Sequence, residues 1–276
     1  MTNKSLSCIY FSPTGTTKAI VENISQGINA EQVDMIDITK PSDRENMPLK
    51  FKNDIVMLAT PVYYGRVPEL LASCFSKLKG EQSLVILVAV YGNRAYDNAL
   101  IELHDIALAG GFTPLAAGAF IGEHSYSSFD YPIAQNRPDD IDVRKAGEFG
   151  AAIREKLQNL ESLENLPSLA IPGGQAPYIE AKNLNMIKQA RAVVAFTPET
   201  DTTKCTQCGE CAKSCPTGAI SPDDPTQTDR WQCIICFACV KNCPEKARQM
   251  NEPNFQTAIQ GLYKMCLERK EAEVYL

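Results

Sequence analysis

Eight of the eleven cysteines lie close together near the C-terminus and repeat one spacing twice. In each run, three cysteines follow at intervals of three positions, and a fourth comes four positions later and precedes a proline. Thiolates are soft ligands that suit iron–sulfur chemistry, and this spacing is that of two cubane [4Fe–4S] clusters. The two runs are Cys205, Cys208, Cys211 and Cys215, and Cys233, Cys236, Cys239 and Cys243.

The fourth cysteine of each run is expected to bind the cluster of the other run, as the proline-linked cysteine does in proteins with two clusters. Zinc sites do not fit, because they use paired cysteines at this spacing rather than triplets. A disulfide framework would indicate a small secreted domain, and the polar segment Met1–Ser7 predicts no signal peptide. The predicted ligand sets are Cys205, Cys208, Cys211 and Cys243 for one cluster, and Cys215, Cys233, Cys236 and Cys239 for the other.

The segment Thr202–Met250, which contains both runs, resembles the bacterial two-cluster ferredoxins. The resemblance implies a small α+β ferredoxin domain over residues 201–252 with low reduction potentials. Trp231, just before the second triplet, is expected to cover a cluster edge. Apolar residues between the ligands are expected to shield the clusters, and these are Ile220, Ile234, Ile235, Phe237, Ala238 and Val240.

The overall composition limits the remaining possibilities. A chain of 276 residues is long enough for two domains, and its net charge of −6 argues against nucleic acid or an anionic membrane surface as the main partner. No apolar run approaches the roughly 18 residues that indicate a membrane span. Many cysteines without a signal peptide favour a reducing cytoplasm.

In the first half of the chain, apolar segments alternate with segments of helical periodicity. Strands are predicted at Leu6–Ser12, Gln32–Ile38, Asp54–Ala59, Ser83–Val90 and Phe112–Ile121. Helices are predicted at Thr16–Asn29, from Pro68 onwards, at Ala95–Ala109 and at Ile141–Leu160. This alternation predicts a doubly wound parallel α/β sheet of five strands, and such sheets bind ligands beyond the carboxyl ends of their strands.

Three loops follow strands at that edge, namely Ser12–Thr17, Thr60–Pro68 and Tyr91–Asp97. In the first loop, hydroxyls and free backbone N–H groups face the positive end of a helix dipole, which suits a terminal phosphate. The loop lacks the lysine of a P-loop and the GxGxxG of a dinucleotide site. An ordinary hydroxyl-capped helix start is the alternative for this loop taken alone.

Taken together, the three loops resemble those of flavodoxins, and the similarity extends over about Leu6 to Leu160. The resemblance implies a flavodoxin-like sheet of strand order 2-1-3-4-5 that binds FMN, with a stacked aromatic ring and glycines that let backbone approach the flavin. Tyr91 and Tyr64 are the leading candidates for stacking. Arg94 is expected to pair with the flavin carbonyls, and the role of Arg66 is left open. The implied FMN-binding residues are Ser12, Thr14, Gly15, Thr16, Thr17, Pro61, Tyr63, Tyr64, Gly65, Tyr91, Gly92, Asn93 and Tyr96.

Composition and periodicity divide the rest of the chain. The boundaries are predicted as a flavodoxin-like domain at 1–165, a linker at 166–200, the ferredoxin domain at 201–252 and a C-terminal helix within 253–276. The linker is rich in proline and glycine and is expected to contain a helix or strand at Asn183–Ala195, and the final helix is predicted over Asn254–Glu273. The remaining cysteines, Cys8, Cys74 and Cys266, are expected to be buried core thiols.

A long insert, Gly122–Asp140, follows the fifth predicted strand. Its aromatic residues Tyr126, Phe129 and Tyr131 favour packing over disorder, either as a cap on the flavin or against the ferredoxin domain. Its histidine, His124, is expected to make a hydrogen bond rather than to act in catalysis.

The order of the two domains resembles that of the flavodoxin–ferredoxin fusion proteins of anaerobic bacteria and archaea. The resemblance implies electron transfer between FMN, two clusters and redox partner proteins, and a homodimer is compatible with it. An electron carrier is favoured over an enzyme, and the alternative is a flavin-dependent reductase of a small acceptor such as a quinone, fed by the clusters. Neither a nicotinamide fingerprint nor a DNA-binding pattern is visible.

Overall fold

The computed structural model describes residues 5–163, 166–176, 178 and 196–276. The N-terminal domain contains β1 (Leu6–Tyr10), α1 (Thr16–Ile28), β2 (Val33–Asp37), α2 (Pro41–Glu45), β3 (Lys50–Lys52), β4 (Ile55–Pro61), α3 (Glu69–Phe75), β5 (Lys79–Glu81), β6 (Leu84–Tyr91), α4 (Ala99–Ala109), β7 (Thr113–Ile121) and α5 (Asp140–Gln158). The C-terminal part contains β8 (Glu199–Thr200), α6 (Glu210–Lys213), α7 (Ala238–Lys241), β9 (Arg248–Gln249), α8 (Pro253–Met265) and β10 (Glu273–Tyr275).

The N-terminal domain is built on a sheet of six strands in the order β10-β7-β6-β4-β1-β2. Five of these strands are parallel, and they follow the predicted order 2-1-3-4-5 when the five predicted strands are counted along the chain. The central strands β4 and β6 are apolar and almost wholly buried, as strands covered by helices on both faces must be. The short strands β3 and β5 form a separate parallel pair.

The sixth strand is an antiparallel edge strand that no sequence pattern indicated. The helix predicted over Asn254–Glu273 ends at Met265, and the chain then returns to the N-terminal domain, where β10 pairs with β7. Contacts far apart in sequence hold this return, such as the 2.8 Å hydrogen bond from the Tyr96 hydroxyl to Glu273. The predicted fold class is therefore confirmed, with one strand more and a shorter C-terminal helix than expected.

The predicted linker is partly visible. Leu169 and Ile171 pack against the core beside α4, and the Gly174 N–H donates to the Asn98 side chain at 2.9 Å. The helix or strand predicted at Asn183–Ala195 lies outside the described residues. Cys8, Cys74 and Cys266 are buried, as expected of core thiols. Within the described ranges, no helix is long and apolar enough to cross a membrane.

Helices α1 and α5 pack against each other backbone to backbone on one face of the sheet. An added Cβ at Gly27 would lie 2.2 Å from the Gly147 carbonyl oxygen, and one at Gly150 would lie 2.2 Å from the Ile24 carbonyl oxygen. Glycine is therefore required for this close approach. Because the loop Ser12–Thr17 leads directly into α1, the packing of the two helices also fixes the position of that loop.

Gly27→Ala is expected to lower the free energy of unfolding by about 1–3 kcal/mol, because the new methyl group must push two helix backbones apart. The matched control is Gly261→Ala in the exposed part of α8, where nothing lies within 4 Å of the added Cβ. Alanine's better helix propensity should stabilise that variant by up to about 1 kcal/mol. Thermal unfolding followed by circular dichroism compares the two, and equal Tm values would contradict the proposed role of the glycine contact.

Candidate functional site

The eight patterned cysteines surround two separate cavities, each lined by three cysteines of one run and the fourth of the other. Across the described residues, no three His, Cys, Asp or Glu side chains converge closely enough to hold one metal ion. Four thiols spaced around one cavity fit a cluster better than a zinc ion, whose ligands lie within roughly 2.3 Å of the metal. The two sets are Cys205, Cys208, Cys211 and Cys243, and Cys215, Cys233, Cys236 and Cys239.

The backbone around the two cavities repeats as closely as the cysteine spacing does. Four of the sulfur atoms accept backbone N–H groups in two matched pairs, and such bonds favour the thiolate form and tune the potential of a cluster. The donors and acceptors are Gln207 to Cys205 and Ile235 to Cys233, both at 3.4 Å, and Ala219 to Cys215 and Ala247 to Cys243, both at 3.2 Å. Left-handed residues at matching positions form both turns, and they are Gln207, Gly209, Ile235 and Phe237.

The two cavities differ in their exposure. Cys208 of the first set is exposed, whereas Cys236 and Cys239 of the second set are buried. Burial raises the pKa of Cys239 to about 11, and the nearby Arg248 guanidinium opposes that rise. The second cavity is lined by the apolar residues Ile220, Ile234, Phe237 and Ala238, as the sequence predicted. Trp231 lines neither cavity, so the expectation that it covers a cluster edge is wrong. The residue is 63% exposed, and its ring faces the Arg230 guanidinium at 4.7 Å.

The second cavity lies against the N-terminal domain. Ile234 packs with Val62 and Tyr63 on the core of that domain. Burial and then the neighbouring Cys236 thiol raise the pKa of Tyr63 well above its ordinary value, so the phenol stays neutral. The Arg44 guanidinium donates at 2.6 Å to the carbonyl of Pro216, the residue after a predicted ligand. The second ligand set therefore lies on the side of the cysteine-rich domain that contacts the N-terminal domain.

The insert Gly122–Asp140 forms the other half of this contact. The Tyr126 ring lies 4.7 Å from Phe237 and 5.1 Å from Phe255. Glu123 accepts from the Lys241 ammonium group at 2.6 Å. These contacts agree with the expectation that the insert packs against the cysteine-rich domain.

Only two of the three aromatic residues in the insert take part in packing. Tyr131 packs with Tyr263 of α8 at 5.9 Å between ring centroids, and Tyr126 makes the contacts given above. Phe129 lies at the tip of the insert with 95% of its surface exposed, so the expectation that it packs is wrong.

The loop Ser12–Thr17 has the features of an anion site. Gly15, with φ of 89°, occupies the N-cap of α1 and offers no capping side chain. The Ser12 hydroxyl accepts from the Lys18 N–H at 2.9 Å, and the Ser12 N–H donates to Thr39 at 2.8 Å. Thr14 belongs to this turn, and Thr16 is the first residue of α1, where backbone N–H groups lack partners within the helix. The donors available there fit a phosphate group.

Two residues that sequence reasoning missed lie against the same loop. An added Cβ at Gly122 would lie 2.8 Å from the Thr16 Cβ, so only glycine at the end of β7 allows this approach. The Asn242 amide donates at 3.4 Å to the Pro13 carbonyl and links the loop to the cysteine-rich domain. Neither residue belongs to a recognisable motif, and both act through contacts between distant parts of the chain.

The side chains of the loop Tyr91–Asp97 have partners other than a ligand. Tyr91 is buried in the core with its ring 5.5 Å from that of Tyr96, whose hydroxyl in turn bonds to β10. The Asn93 amide donates to the carbonyls of Cys266 and Glu268 at 2.9 Å and 2.8 Å. Tyr91, Asn93 and Tyr96 therefore anchor the C-terminal segment, and the expectation that Tyr91 stacks on a flavin is wrong.

Gly92 makes room for a side chain of the insert. An added Cβ there would lie 2.3 Å from the Cδ2 atom of His124. Burial, with Arg94 and Lys241 nearby, lowers the pKa of His124 to about 4, so the imidazole is neutral near pH 7. Its Nδ1 atom accepts from the Tyr126 N–H at 3.1 Å. The role in hydrogen bonding that the sequence predicted for His124 agrees with this arrangement.

The loop after β4 makes a tight turn with Tyr64 and Gly65 at its tip. Both have positive φ angles, and two hydrogen bonds of 3.0 Å between Tyr63 and Arg66 close the turn. Backbone conformations of this kind are costly for a bulky residue and cluster at functional sites. The Tyr126 hydroxyl lies within hydrogen-bonding reach of Tyr64. Of the two stacking candidates, Tyr64 is the one placed between the loop, the insert and the second cavity.

Both arginines of the predicted flavin loops are already paired. Arg66 forms a two-pronged ion pair with the buried Glu102, with contacts of 2.6 and 2.7 Å. Arg94 pairs with Asp97, and its expected contact with the flavin carbonyls stays a prediction. Asp97 in turn lies where an added Cβ at Gly65 would be, which brings the two loops together.

Comparisons with known proteins agree with this two-part architecture. Residues 8–131 match the family described as a flavodoxin domain, and residues 197–244 match the family described as a 4Fe-4S dicluster domain. A search of curated proteins found no match.

Solved structures similar to this chain include several flavodoxins. A flavodoxin from the domain Archaea is 18% identical, with 56% of this chain and 99% of that chain covered and a TM-score of 0.38. A Fusobacterium nucleatum flavodoxin bound to flavin mononucleotide is 16% identical, with coverages of 55% and 98% and a TM-score of 0.39. Rubredoxin oxygen:oxidoreductase from the anaerobe Desulfovibrio gigas is 12% identical, with coverages of 56% and 38% and a TM-score of 0.40.

The two family matches fall on the two parts of the chain in the order that the sequence predicted. The N-terminal match runs from Cys8 in β1 into the insert and includes the other four parallel strands and the three loops, and the C-terminal match covers all eight patterned cysteines. The chain is therefore a flavodoxin–ferredoxin fusion, an electron-transfer protein that joins a flavodoxin domain to a 4Fe-4S dicluster domain.

Proposed function

We propose that this protein relays electrons between FMN in the flavodoxin domain and two [4Fe–4S] clusters in the dicluster domain, and exchanges them with a redox partner protein. The observation that carries the proposal is the contact between the second ligand set and the flavodoxin domain. There Ile234 packs against the core of the flavodoxin domain, and Tyr126 of the insert packs on Phe237. A joined arrangement of this kind suits transfer within one chain.

Different residues of the chain are available to the phosphate and to the ring of FMN. Thr14, Gly15 and Thr16 would hold the phosphate at the positive end of α1. Tyr64 is the aromatic residue available to the flavin ring. When bound, FMN can exchange electrons singly or in pairs, whereas a cubane cluster carries one. The buried His124 and the neutral phenols of Tyr63 and Tyr126 would exclude water from the space beside that ring.

The exposure of the two ligand sets supports an order for the relay. The set that contains Cys236 lies against the flavodoxin domain and would serve internal transfer. The set that contains Cys208 opens to solvent and would meet the partner protein. All hydrogen bonds that the described residues make with Thr202–Cys211 come from within the dicluster domain, so this face stays accessible. Eight reactive thiols need a reducing compartment, so we place the protein in the cytoplasm.

The structure of the insert also distinguishes between the proposed relay and the alternative function, a reductase with its own small acceptor. A reductase would use the insert as a movable lid over the flavin. Instead, Glu123, Tyr126 and Tyr131 are engaged with Lys241, Phe237 and Tyr263. An element that holds two domains together is unsuited to opening on each turnover, which favours the relay.

Anaerobically purified protein is expected to contain about eight iron atoms and one FMN per chain, because each ligand set provides four thiolates. Cys208→Ala removes one ligand of the exposed set and should lower the iron content toward about four atoms while FMN stays bound. Cys74→Ser, which changes a buried cysteine outside the pattern, is the control and should keep all the iron. Chemical iron and flavin assays measure both quantities, and full iron content in Cys208→Ala would contradict the ligand assignment.

Thr16→Ala is expected to weaken FMN binding roughly 10–100-fold, the usual cost of losing a hydrogen bond to a charged group. Riboflavin lacks the phosphate, so its affinity should be the same for the variant and the natural protein. Fluorescence titration of the flavin-depleted protein with each ligand gives the two dissociation constants. An equal loss for FMN and riboflavin would show that Thr16 acts on the ring or on the fold instead.

Tyr126→Ala is expected to destabilise the protein by about 3 kcal/mol and to slow flavin reduction through the clusters, because it removes the aromatic contact between the domains. Phe129→Ala removes an aromatic side chain from the same insert, but an exposed one, and should change stability by less than about 0.5 kcal/mol. Stopped-flow absorbance after mixing with a one-electron reductant measures the rate. Unchanged flavin reduction in Tyr126→Ala would argue against transfer across this contact.

A further inference from the structure

Arg248 is a buried arginine in the middle of the dicluster domain. Only 3% of its surface is exposed, and it lies on β9, where it pairs with Thr200 of β8. Its Nη1 atom donates to the Thr200 hydroxyl at 2.6 Å and to the Thr226 carbonyl at 3.4 Å, and its Nη2 atom donates to the Thr228 hydroxyl. All three of these acceptors are neutral oxygens.

Among the described residues, no carboxylate pairs with the positive charge of Arg248. In the part of the chain that the structure describes, its hydrogen bonds reach only neutral oxygens and one sulfur, and its Nε atom has no partner. A buried charge without a compensating charge is strongly unfavourable, so a negative group is expected beside it.

The guanidinium lies between the two ligand sets. Arg248 lines the cavity of the set that contains Cys205 and Cys211. Its Nη2 atom is also 3.9 Å from the sulfur of Cys239, which belongs to the other set. We propose, on the basis of the function above, that Arg248 is a countercharge shared by the two clusters and that it raises their reduction potentials.

Comparison of the two halves of the internal repeat shows that only one of them has a charged residue at this position. Each cysteine of the first run has its counterpart 28 positions later, and by the same offset Arg248 corresponds to Ile220. Ile220 lines the cavity of the other ligand set, as Arg248 lines its own. Because the backbone before both residues donates to a cysteine sulfur in the same way, the fold accepts an apolar residue here. The arginine is therefore not required by the local backbone.

Electrostatics explains why Arg248 should raise the reduction potentials rather than lower them. Four thiolates leave each cluster site net negative, and one electron taken from a carrier protein makes the site more negative without forming or breaking a bond. A nearby positive charge in a region of low dielectric stabilises the reduced form more than the oxidised form. Arg248 changes the electrostatic potential at the clusters and contacts no substrate, so it is a positioning residue and not a catalytic one.

The test is a redox titration of the intact protein followed by electron paramagnetic resonance, comparing Arg248→Gln with Arg248→Lys. Gln keeps polar contacts with the threonines but loses the charge, so at a fixed applied potential the ratio of reduced to oxidised cluster should fall at least tenfold. For a one-electron couple this corresponds to a shift of about 59 mV to more negative potential. Lys keeps the charge and should retain a ratio close to that of the natural protein.

Arg230→Gln is the matched control, since it removes the same charge from the surface of the same domain, where Arg230 stacks on the exposed Trp231. It should leave the potentials unchanged because solvent screens it. Full iron content with unchanged potentials in Arg248→Gln would overturn the inference and leave the relay intact. Little iron in the natural protein would instead contradict the proposed function. If Gln and Lys both lose iron, the role of Arg248 is structural and the inference also fails.

Discussion

The contact between the second cysteine triplet and the flavodoxin domain is the constraint on which the rest of the structure depends. A triplet of ligands at such short spacing forces the chain into a tight turn, with left-handed residues such as Ile235 and Phe237 between the cysteines. Both side chains belong to an apolar cluster of the domain. Tyr126 and Phe255 also pack there, and the neighbouring Ile234 meets the flavodoxin core. The spacing that holds a cluster thus also creates the surface that joins the domains.

Joining two domains around this surface requires further connections at their edges. At the end of the insert, the buried Arg137 forms an ion pair with Asp142 and donates at 2.8 Å to the Lys270 carbonyl. Asn93 accepts from the Lys270 N–H at 3.0 Å, so one short segment links the insert, a loop of the flavodoxin domain and the chain beyond α8. β10 then completes the connection by adding to the sheet. The C-terminal segment consequently restrains the loop Tyr91–Asp97 of the flavodoxin domain.

The sequence was informative where function depends on local spacing, and it failed where function depends on distant contacts. The cysteine sets and the five parallel strands follow from patterns of a few residues, so they could be read directly. Asn93 and Tyr96 sit at the expected place in the chain, but their hydrogen-bond partners lie more than 170 residues further on. No local pattern distinguishes a loop tyrosine that stacks on a ligand from one that anchors a tail. The same limitation concealed Gly122 and Asn242, which matter only because other parts of the chain approach them.

The internal repeat provides two nearly identical halves that lie in different surroundings. The backbone of each half is equivalent, with N–H groups bonded to sulfur at matched distances. The neighbours are not equivalent, because one half faces solvent at Cys208 and the other faces Tyr63. Gly209 in the exposed turn corresponds to Phe237 in the covered one, so the half that meets the flavodoxin domain carries the aromatic side chain that fills the contact. Differences between the two halves at such matched positions make two otherwise equivalent ligand sets unequal. One set then faces solvent, and the other faces the flavodoxin domain.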